Sequence, residues 1–146
     1  MGVKSRNKAE KRKEDKKSLF FARLNNCPTS PRKMRLIVDM IRGKKVELAL
    51  HLLKNSPQAS SMRLHKLLLS AIANWQAKNE GVRLEESDLY ISEIFVDSGR
   101  MLKRIRTAPQ GRAHRIRKRS NHVTLYVDSR NAISSEVEEA NTETKE

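Results

Sequence analysis

The segment GRMLKRIRTAPQGRAHRIRKR, residues 99–119, determines the architecture that this chain is expected to adopt. It lies between two strand-like segments, residues 89–96 and 122–127, and the second of these alternates apolar and polar side chains. Pro109 and Gly111 provide turn chemistry near its middle. The simplest topology is a β-hairpin over residues 98–119, whose arms of about nine residues, at about 3.3 Å each, project about 30 Å.

The arms of this hairpin are strongly cationic, and no acidic residue occurs between residues 98 and 127. The basic residues are Arg100, Lys103, Arg104, Arg106, Arg112, Arg115, Arg117, Lys118 and Arg119. An isolated two-stranded ribbon is marginal in water, and like charges weaken it further. We therefore expect phosphate groups to hold it, because arginine donates two parallel hydrogen bonds to phosphate. A solvated loop is the alternative, but such loops usually mix both signs of charge.

The hairpin also lacks aromatic side chains, since none occurs between Phe95 and Tyr126. Proteins that bind bare single strands normally stack bases on aromatic rings. The sequence therefore favours folded RNA, recognised through its shape and its backbone.

The composition of the whole chain supports a polyanionic partner. Its 146 residues carry 31 Lys and Arg against 17 Asp and Glu, a net charge of +14. No apolar run is long enough to span a membrane, and no secretory signal is recognisable, so nucleic acid is preferred over a membrane. The single cysteine, Cys27, fits a reducing, cytosolic setting and is expected to be a buried apolar residue rather than a catalytic thiol.

The two ends differ in charge from the middle of the chain. Residues 1–17 hold eight basic and three acidic residues and predict a disordered basic arm, which either follows a nucleic-acid backbone or serves as a solubilising tail. Residues 129–146 are rich in Glu, Ser, Asn and Thr and predict a disordered acidic tail. Residues 18–128 are expected to form a single domain.

Within this domain the pattern predicts an α+β fold. A short strand is expected at residues 19–25, followed by three helices. The first helix, residues 30–43, and the third, residues 56–81, each begin with a serine and a proline and end at a glycine. The second spans residues 46–54. We expect three helices packed on a small antiparallel three-stranded sheet, with the long hairpin protruding from it.

A second basic cluster, Arg32, Lys33 and Arg35, opens the first helix. Cations are unfavourable at the positive end of the helix dipole unless a phosphate lies there. The cluster is therefore a candidate RNA contact, with tolerated surface charge as the alternative. His122 either pairs with a phosphate or fills a strand position.

The sequence lacks the patterns typical of catalytic and metal-binding sites. His51, His65, His114 and His122 show no ligand spacing to one another or to Cys27. No glycine-rich phosphate loop or paired-carboxylate pattern is present. The sequence predicts neither an enzyme nor a metal or cofactor site.

Three motifs resemble one known family, the bacterial large-subunit ribosomal proteins of the L-twenty-two family. They are SPRKMRLIVDMIRGK at residues 30–44, SAIAN at residues 70–74, and GRAHRIRKR at residues 111–119 followed by HVT at 122–124. The resemblance covers roughly residues 20–128, in order and with similar spacing.

The resemblance implies a structural constituent of the large ribosomal subunit in the cytoplasm, which binds the large rRNA and aids its assembly. The family's hairpin lines the polypeptide exit tunnel near a constriction shared with the L-four type protein, where it meets the nascent polypeptide transiently. No homo-oligomer is expected. The residues that would form the tunnel-lining tip are Thr107, Ala108, Pro109, Gln110, Gly111, Arg112 and Ala113.

Two other functions are compatible with a basic chain of this length, a DNA-binding regulator and an RNA-processing enzyme. A DNA-binding regulator would use residues 31–55 as a helix-turn-helix, but a recognition helix needs polar residues for base edges. The second helix instead offers mainly apolar residues: Val46, Leu48, Ala49, Leu50, Leu52 and Leu53. An RNA-processing enzyme would need a histidine such as His114 or His122 as its base.

Overall fold

The structure is a computed structural model that describes residues 3–79 and 87–130. The elements in chain order are α1 (Val3–Ser18), β1 (Phe20–Cys27), α2 (Pro31–Ile41), α3 (Val46–Asn55), α4 (Ala59–Lys78), β2 (Leu89–Thr107) and β3 (Ala113–Ser129). The expected α+β class and the three-stranded antiparallel sheet are both confirmed.

The sheet has the strand order β1-β3-β2, and both pairings are antiparallel. Because successive side chains on a strand point to opposite faces, Val123, Leu125 and Val127 of β3 all point to the same face and are buried there. Helices α2 and α4 pack against the sheet, and α3 packs against α4. The core therefore lies between the helices and one face of the sheet.

Trp75 of α4 anchors this core. Its side chain is only 3% exposed, and its ring lies 6.2 Å from that of Phe20 on β1. Leu64, Leu68 and Ala71 of the same helix face are completely buried. The apolar face predicted for the long helix is thus the surface that covers the sheet.

The helix boundaries agree only in part with those predicted. Ser30 is the N-cap of α2 with Pro31 at the first helical position, and Gly43 follows the helix at φ +70°. The predicted start of α4 at residue 56 is wrong, because Ser56 closes α3 in an extended conformation. The cap of α4 is therefore Gln58. The predicted stop, Gly81, lies outside the described residues.

The amino-terminal segment differs from the disordered arm that the sequence predicts, because Val3–Ser18 forms the helix α1. Its Lys, Arg, Glu and Ala residues are good helix formers, and Arg6 pairs with Glu10 one turn away at 3.1 Å. Within the described chain, α1 makes no extensive contact with another element. It is a helix formed by local propensity without an apolar face. The predicted acidic tail beyond residue 130 lies outside the described residues.

Candidate nucleic-acid interface

The predicted hairpin is present as a continuation of the sheet. The last pair between β1 and β3 is Cys27 with Asn121, whereas β2 and β3 stay paired as far as Thr107 and Ala113. Residues 99–120 therefore form a two-stranded extension beyond the third strand, here called the basic ribbon. Every residue of 102–107 and 111–119 is exposed.

The register shows that both faces of the basic ribbon carry cations. Residues directly opposite each other in an antiparallel pair share a face. Arg115, Arg117 and Arg119 lie opposite Ile105, Lys103 and Met101 on one face. Lys118 and Arg104 lie on the other face, opposite Leu102 and Ile116. Neither face of the ribbon is therefore apolar along its whole length.

Two features make the basic ribbon unfavourable in isolation. Lys103 and Arg117 are a directly opposed like-charge pair, which destabilises an antiparallel ladder. Ile105 is 77% exposed, so its apolar side chain has no core to enter. Since residues 98–127 contain no acid, the ribbon itself supplies no compensating negative charge.

The tip of the ribbon is a tight loop between Thr107 and Ala113. The amide of Ala108 donates to the carbonyl of Arg112 at 2.9 Å, which closes the loop. Gly111 has φ +67°, as expected for a turn glycine, but Gln110 also adopts a left-handed conformation at φ 62°. The sequence did not indicate this second left-handed residue.

The base of the ribbon is closely packed around Gly99. A Cβ at this position would lie 2.8 Å from the Ser120 Oγ and 3.1 Å from the His122 Nε2. The Ser120 hydroxyl donates to the carbonyl of Arg100, and the β2–β3 register shifts between Ser98 and Met101. Such a bulge bends the strand that carries it, so this site sets the direction of the ribbon.

A cleft of about 720 Å³ joins the ribbon to the start of α2. One wall is formed by Pro28, Thr29 and Ser30, and the other by the ribbon cations Arg100, Arg117, Lys118 and Arg119. Asn121 holds the two walls together, because its Nδ2 donates to the Thr29 carbonyl at 2.7 Å and to the Thr29 Oγ1 at 2.8 Å. The two regions are separate clusters in the sequence, and the hydrogen bonds between Thr29 and Asn121, which lie 92 residues apart, bring them together.

The three cations at the start of α2 do not have equal roles. Arg32 and Lys33 are exposed. The Arg35 Nη2 donates to the carbonyl of Val96 at 3.1 Å, so this side chain ties α2 to β2. Arg35 therefore has a packing role that the sequence did not reveal.

His122 is likewise engaged within the domain. Its Nδ1 accepts a hydrogen bond from the backbone amide of Asn26 at 3.1 Å. Asn26 has φ 53° and lies where the β1–β3 register shifts, so its amide needs a partner outside the ladder. His122 therefore occupies a strand position, and its contact with a phosphate stays a prediction.

Cys27 is buried, as expected from the sequence. Its Sγ accepts a hydrogen bond from the Arg63 Nη1 at 3.1 Å. No group of three His, Cys, Asp or Glu residues suited to a metal ion occurs in residues 3–79 and 87–130. In the same part of the chain, no helix has the length and apolarity needed to cross a membrane.

The helix-turn-helix alternative is not supported by the position of α3. Val46, Ala49 and Leu53 face the core, so this helix is held by burial as the sequence suggested. Leu48, by contrast, is half exposed, so not every apolar residue of this helix is buried. An exposed leucine does not supply the polar groups needed to read base edges.

Comparison with known proteins identifies the family. Residues 22–128 match the family model described as ribosomal protein L22p/L17e. A protein of Christiangramia forsetii named large ribosomal subunit protein uL22 is 65% identical over 135 residues, which cover 92% of this chain and all of that protein. Proteins with the same name from Flavobacterium psychrophilum and Bacteroides fragilis are 61% and 58% identical, covering 90% and 89% of this chain and 96% and 95% of their own lengths.

These matches show that the chain is a ribosomal protein. It is therefore a structural component rather than an enzyme. It belongs to the ribosomal protein L22p/L17e family. The resemblance drawn from three short motifs is thereby confirmed, and so is the expectation that the chain has no catalytic activity of its own.

Proposed function

We propose that the chain is a structural constituent of the large ribosomal subunit that binds large-subunit rRNA and aids its assembly in the cytoplasm. The observation that carries the proposal is the basic ribbon, which has cations on both faces and no acid. The ribbon extends beyond the core of the domain, and we expect anions to surround it.

The ribbon binds RNA through contacts with the phosphate backbone rather than through contacts with base edges. Arginine guanidinium groups donate paired hydrogen bonds to phosphate oxygens, and cations on both faces allow RNA strands to pass on both sides. A phosphate near Lys103 and Arg117 turns their mutual repulsion into two attractive contacts. Binding energy from RNA thus stabilises a conformation that the free ribbon supports weakly.

The cleft at the ribbon base is the proposed entry point of the RNA backbone. Arg100, Arg117 and Arg119 line one side, and the exposed Arg32 and Lys33 follow directly after the Ser30 wall. One strand of RNA could therefore contact the ribbon and the start of α2 together. This arrangement explains why cations are placed where the helix dipole alone disfavours them.

The far end of the ribbon is the proposed tunnel-lining segment. The loop from Thr107 to Ala113 projects about 30 Å from the sheet, at about 3.3 Å per residue along each arm. Apart from Arg112, its side chains are small or neutral, which suits a surface that a nascent polypeptide passes without sticking. The L-four type protein is the proposed neighbour at that constriction, as the family resemblance implies.

Competition between nucleic acids tests the proposal. The full chain is bound to labelled large-subunit rRNA transcript and challenged with unlabelled rRNA or duplex DNA of equal nucleotide concentration at fixed salt. We expect rRNA to displace the label and duplex DNA to fail. Equal displacement by duplex DNA would overturn the assignment, because it would show a charge interaction without preference for folded RNA.

Tunnel lining is tested separately in assembled subunits. A photoreactive amino acid in a stalled nascent chain is scanned through the tunnel, and the cross-linked residues of this protein are mapped by mass spectrometry. Cross-links within residues 107–113 are expected at one narrow range of chain lengths. Cross-links confined to residues outside the tip would refute this placement while leaving rRNA binding intact.

A further inference from the structure

The face of the sheet opposite the helices carries a row of aromatic side chains. Phe21 of β1 and Phe95 of β2 flank Tyr126 of β3, with ring centroids 5.9 Å and 6.3 Å from the central ring. All three lie on the opposite side of their strands from the buried core residues, since side chains alternate along a strand. They form the outer-sheet cluster.

This cluster is open in the free chain. Phe21 is 41% exposed and Phe95 is 46% exposed, although aromatic rings of this size are normally buried. Thr124 lies between its strand partners Arg23 and Phe95. Its side chain is only 6% exposed. The rings therefore form a continuous surface rather than isolated exposed residues.

The charge around the cluster is opposite to that of the chain as a whole. On this face the three strands carry the carboxylates Glu93, Asp97 and Asp128 against Arg23 and the imidazole of His122, and Arg130 lies over Tyr90 just beyond the end of β3. Within the described residues, Glu93 and Asp97 take part in no ion pair. In a protein of net charge +14, a face with three carboxylates against two arginines is a local exception.

We propose that the outer-sheet cluster docks a lysine- or arginine-rich segment of a neighbouring protein in the large subunit. This inference rests on the proposed function, because it places the chain among other proteins of the subunit. Aromatic rings bind cations through their faces, and flanking carboxylates add direct charge pairing. The face thus offers both groups that a basic segment needs.

The chain itself shows that its aromatic rings accept cations. The Arg130 guanidinium lies 5.2 Å from the centroid of Tyr90, and Tyr90 is on the same face beside Asp128. The Lys78 Nζ lies 5.0 Å from the Phe20 centroid on the other side of the sheet. A pocket of about 220 Å³ beside the cluster is lined by Tyr126 and Asp128 of this face together with Leu19, Phe20, Ser92 and Val127.

RNA is the less suitable occupant of this face. Sheet-borne aromatic rings can stack unpaired bases, but such platforms combine the rings with basic groups that hold the backbone. Here a phosphate backbone would meet three carboxylates, Glu93, Asp97 and Asp128, against two arginines, Arg23 and Arg130. The repulsion favours a protein segment over a nucleotide.

Site-specific photocross-linking in purified large subunits tests the inference. Phe95 is replaced by a photoreactive phenylalanine analogue in the full chain, and the control carries the same analogue at the half-exposed Leu48 of α3. Co-sedimentation of both variants with large subunits is measured first. Failure at that step counts against the proposed function, whereas the cross-link pattern tests only the docking surface.

We expect position 95 to cross-link to a segment of another protein rich in Lys and Arg, and position 48 to give no such product. Glu93→Gln with Asp97→Asn should lower the yield of that product about fivefold, which corresponds to the loss of two exposed charge pairs. A cross-link to rRNA, to a segment poor in basic residues, to residues 1–17 of the same chain, or to nothing would overturn the proposal. An unchanged yield in the double variant would overturn the role of charge.

Discussion

Removing three cations from the basic ribbon should change the salt dependence of rRNA binding in a predictable way. The triple variant Arg112→Gln, Arg115→Gln, Arg117→Gln changes exposed residues of the tip and of one arm, so the fold should be retained. The strand register places Arg115 and Arg117 on the same face. Each phosphate contact contributes about 0.7–0.9 to the slope of log affinity against log salt concentration, because binding releases counterions.

Nine contacts in the ribbon give an expected slope of about 6–8, and the triple variant should lower it by about 2–3. A fourfold rise in salt should therefore weaken binding by about 10⁴-fold in the unmodified chain and by about 10³-fold in the variant. Filter binding to large-subunit rRNA over a salt series measures both slopes.

A matched control removes three exposed cations from the helical side, with Arg42→Gln, Lys54→Gln and Lys66→Gln. It causes the same loss of net charge, and its slope should stay within about half a unit of the unmodified value, because no phosphate contact is lost. If the ribbon variant kept its slope, or if the control lost as much, the ribbon would not be the site of phosphate contact.

Three further predictions concern the stability of the folded chain, measured by denaturant unfolding. Gly99→Ala should destabilise by about 1–3 kcal/mol, since its Cβ would approach the Ser120 Oγ at 2.8 Å, and adding Ser120→Ala should recover part of the loss; no loss would show that the ribbon base is not tightly packed. Trp75→Ala should cost about 3–5 kcal/mol because the indole is buried against Phe20, and a loss below about 1 kcal/mol would contradict its role as core anchor. Asn121→Ala should cost about 1–3 kcal/mol by leaving the Thr29 carbonyl unpaired. An unchanged free energy of unfolding would show that the hydrogen bond to Thr29 does not stabilise the fold.

The overall fold was largely predictable because its signals are local. The apolar repeat of α2, the alternation in β3 and the turn residues Pro109 and Gly111 each specify a period or a turn without information from distant residues. The start of α4 was missed because Ser56 satisfies two patterns, the end of one helix and the start of the next, and only the packed structure chooses between them. The helix α1 was missed because the expectation of disorder was based on the lack of apolar residues, whereas local helix propensity does not require them.

The interface was predictable as a list of cations but not as a surface. The residue types of the ribbon follow from composition alone, yet their division between two faces depends on the pairing register, which shifts between Ser98 and Met101. The roles of Arg35 and His122 depend on the distant groups Val96 and Asn26, which no sequence pattern connects to them. The outer-sheet cluster is formed by three separate strands, so no local sequence pattern indicates that Phe21, Phe95 and Tyr126 meet.

Hydrogen exchange of the ribbon amides tests most directly whether folded RNA holds this structure. Exchange at residues 101–106 and 114–119 is compared in the full chain, free and bound to large-subunit rRNA, with the buried strand residues 123–127 as an internal reference. Fast exchange in the free chain, strong protection on rRNA and constant protection of the reference are expected, because a two-stranded ribbon alone is marginal. Strong ribbon protection without RNA, or fast exchange that persists in the complex, would contradict the account.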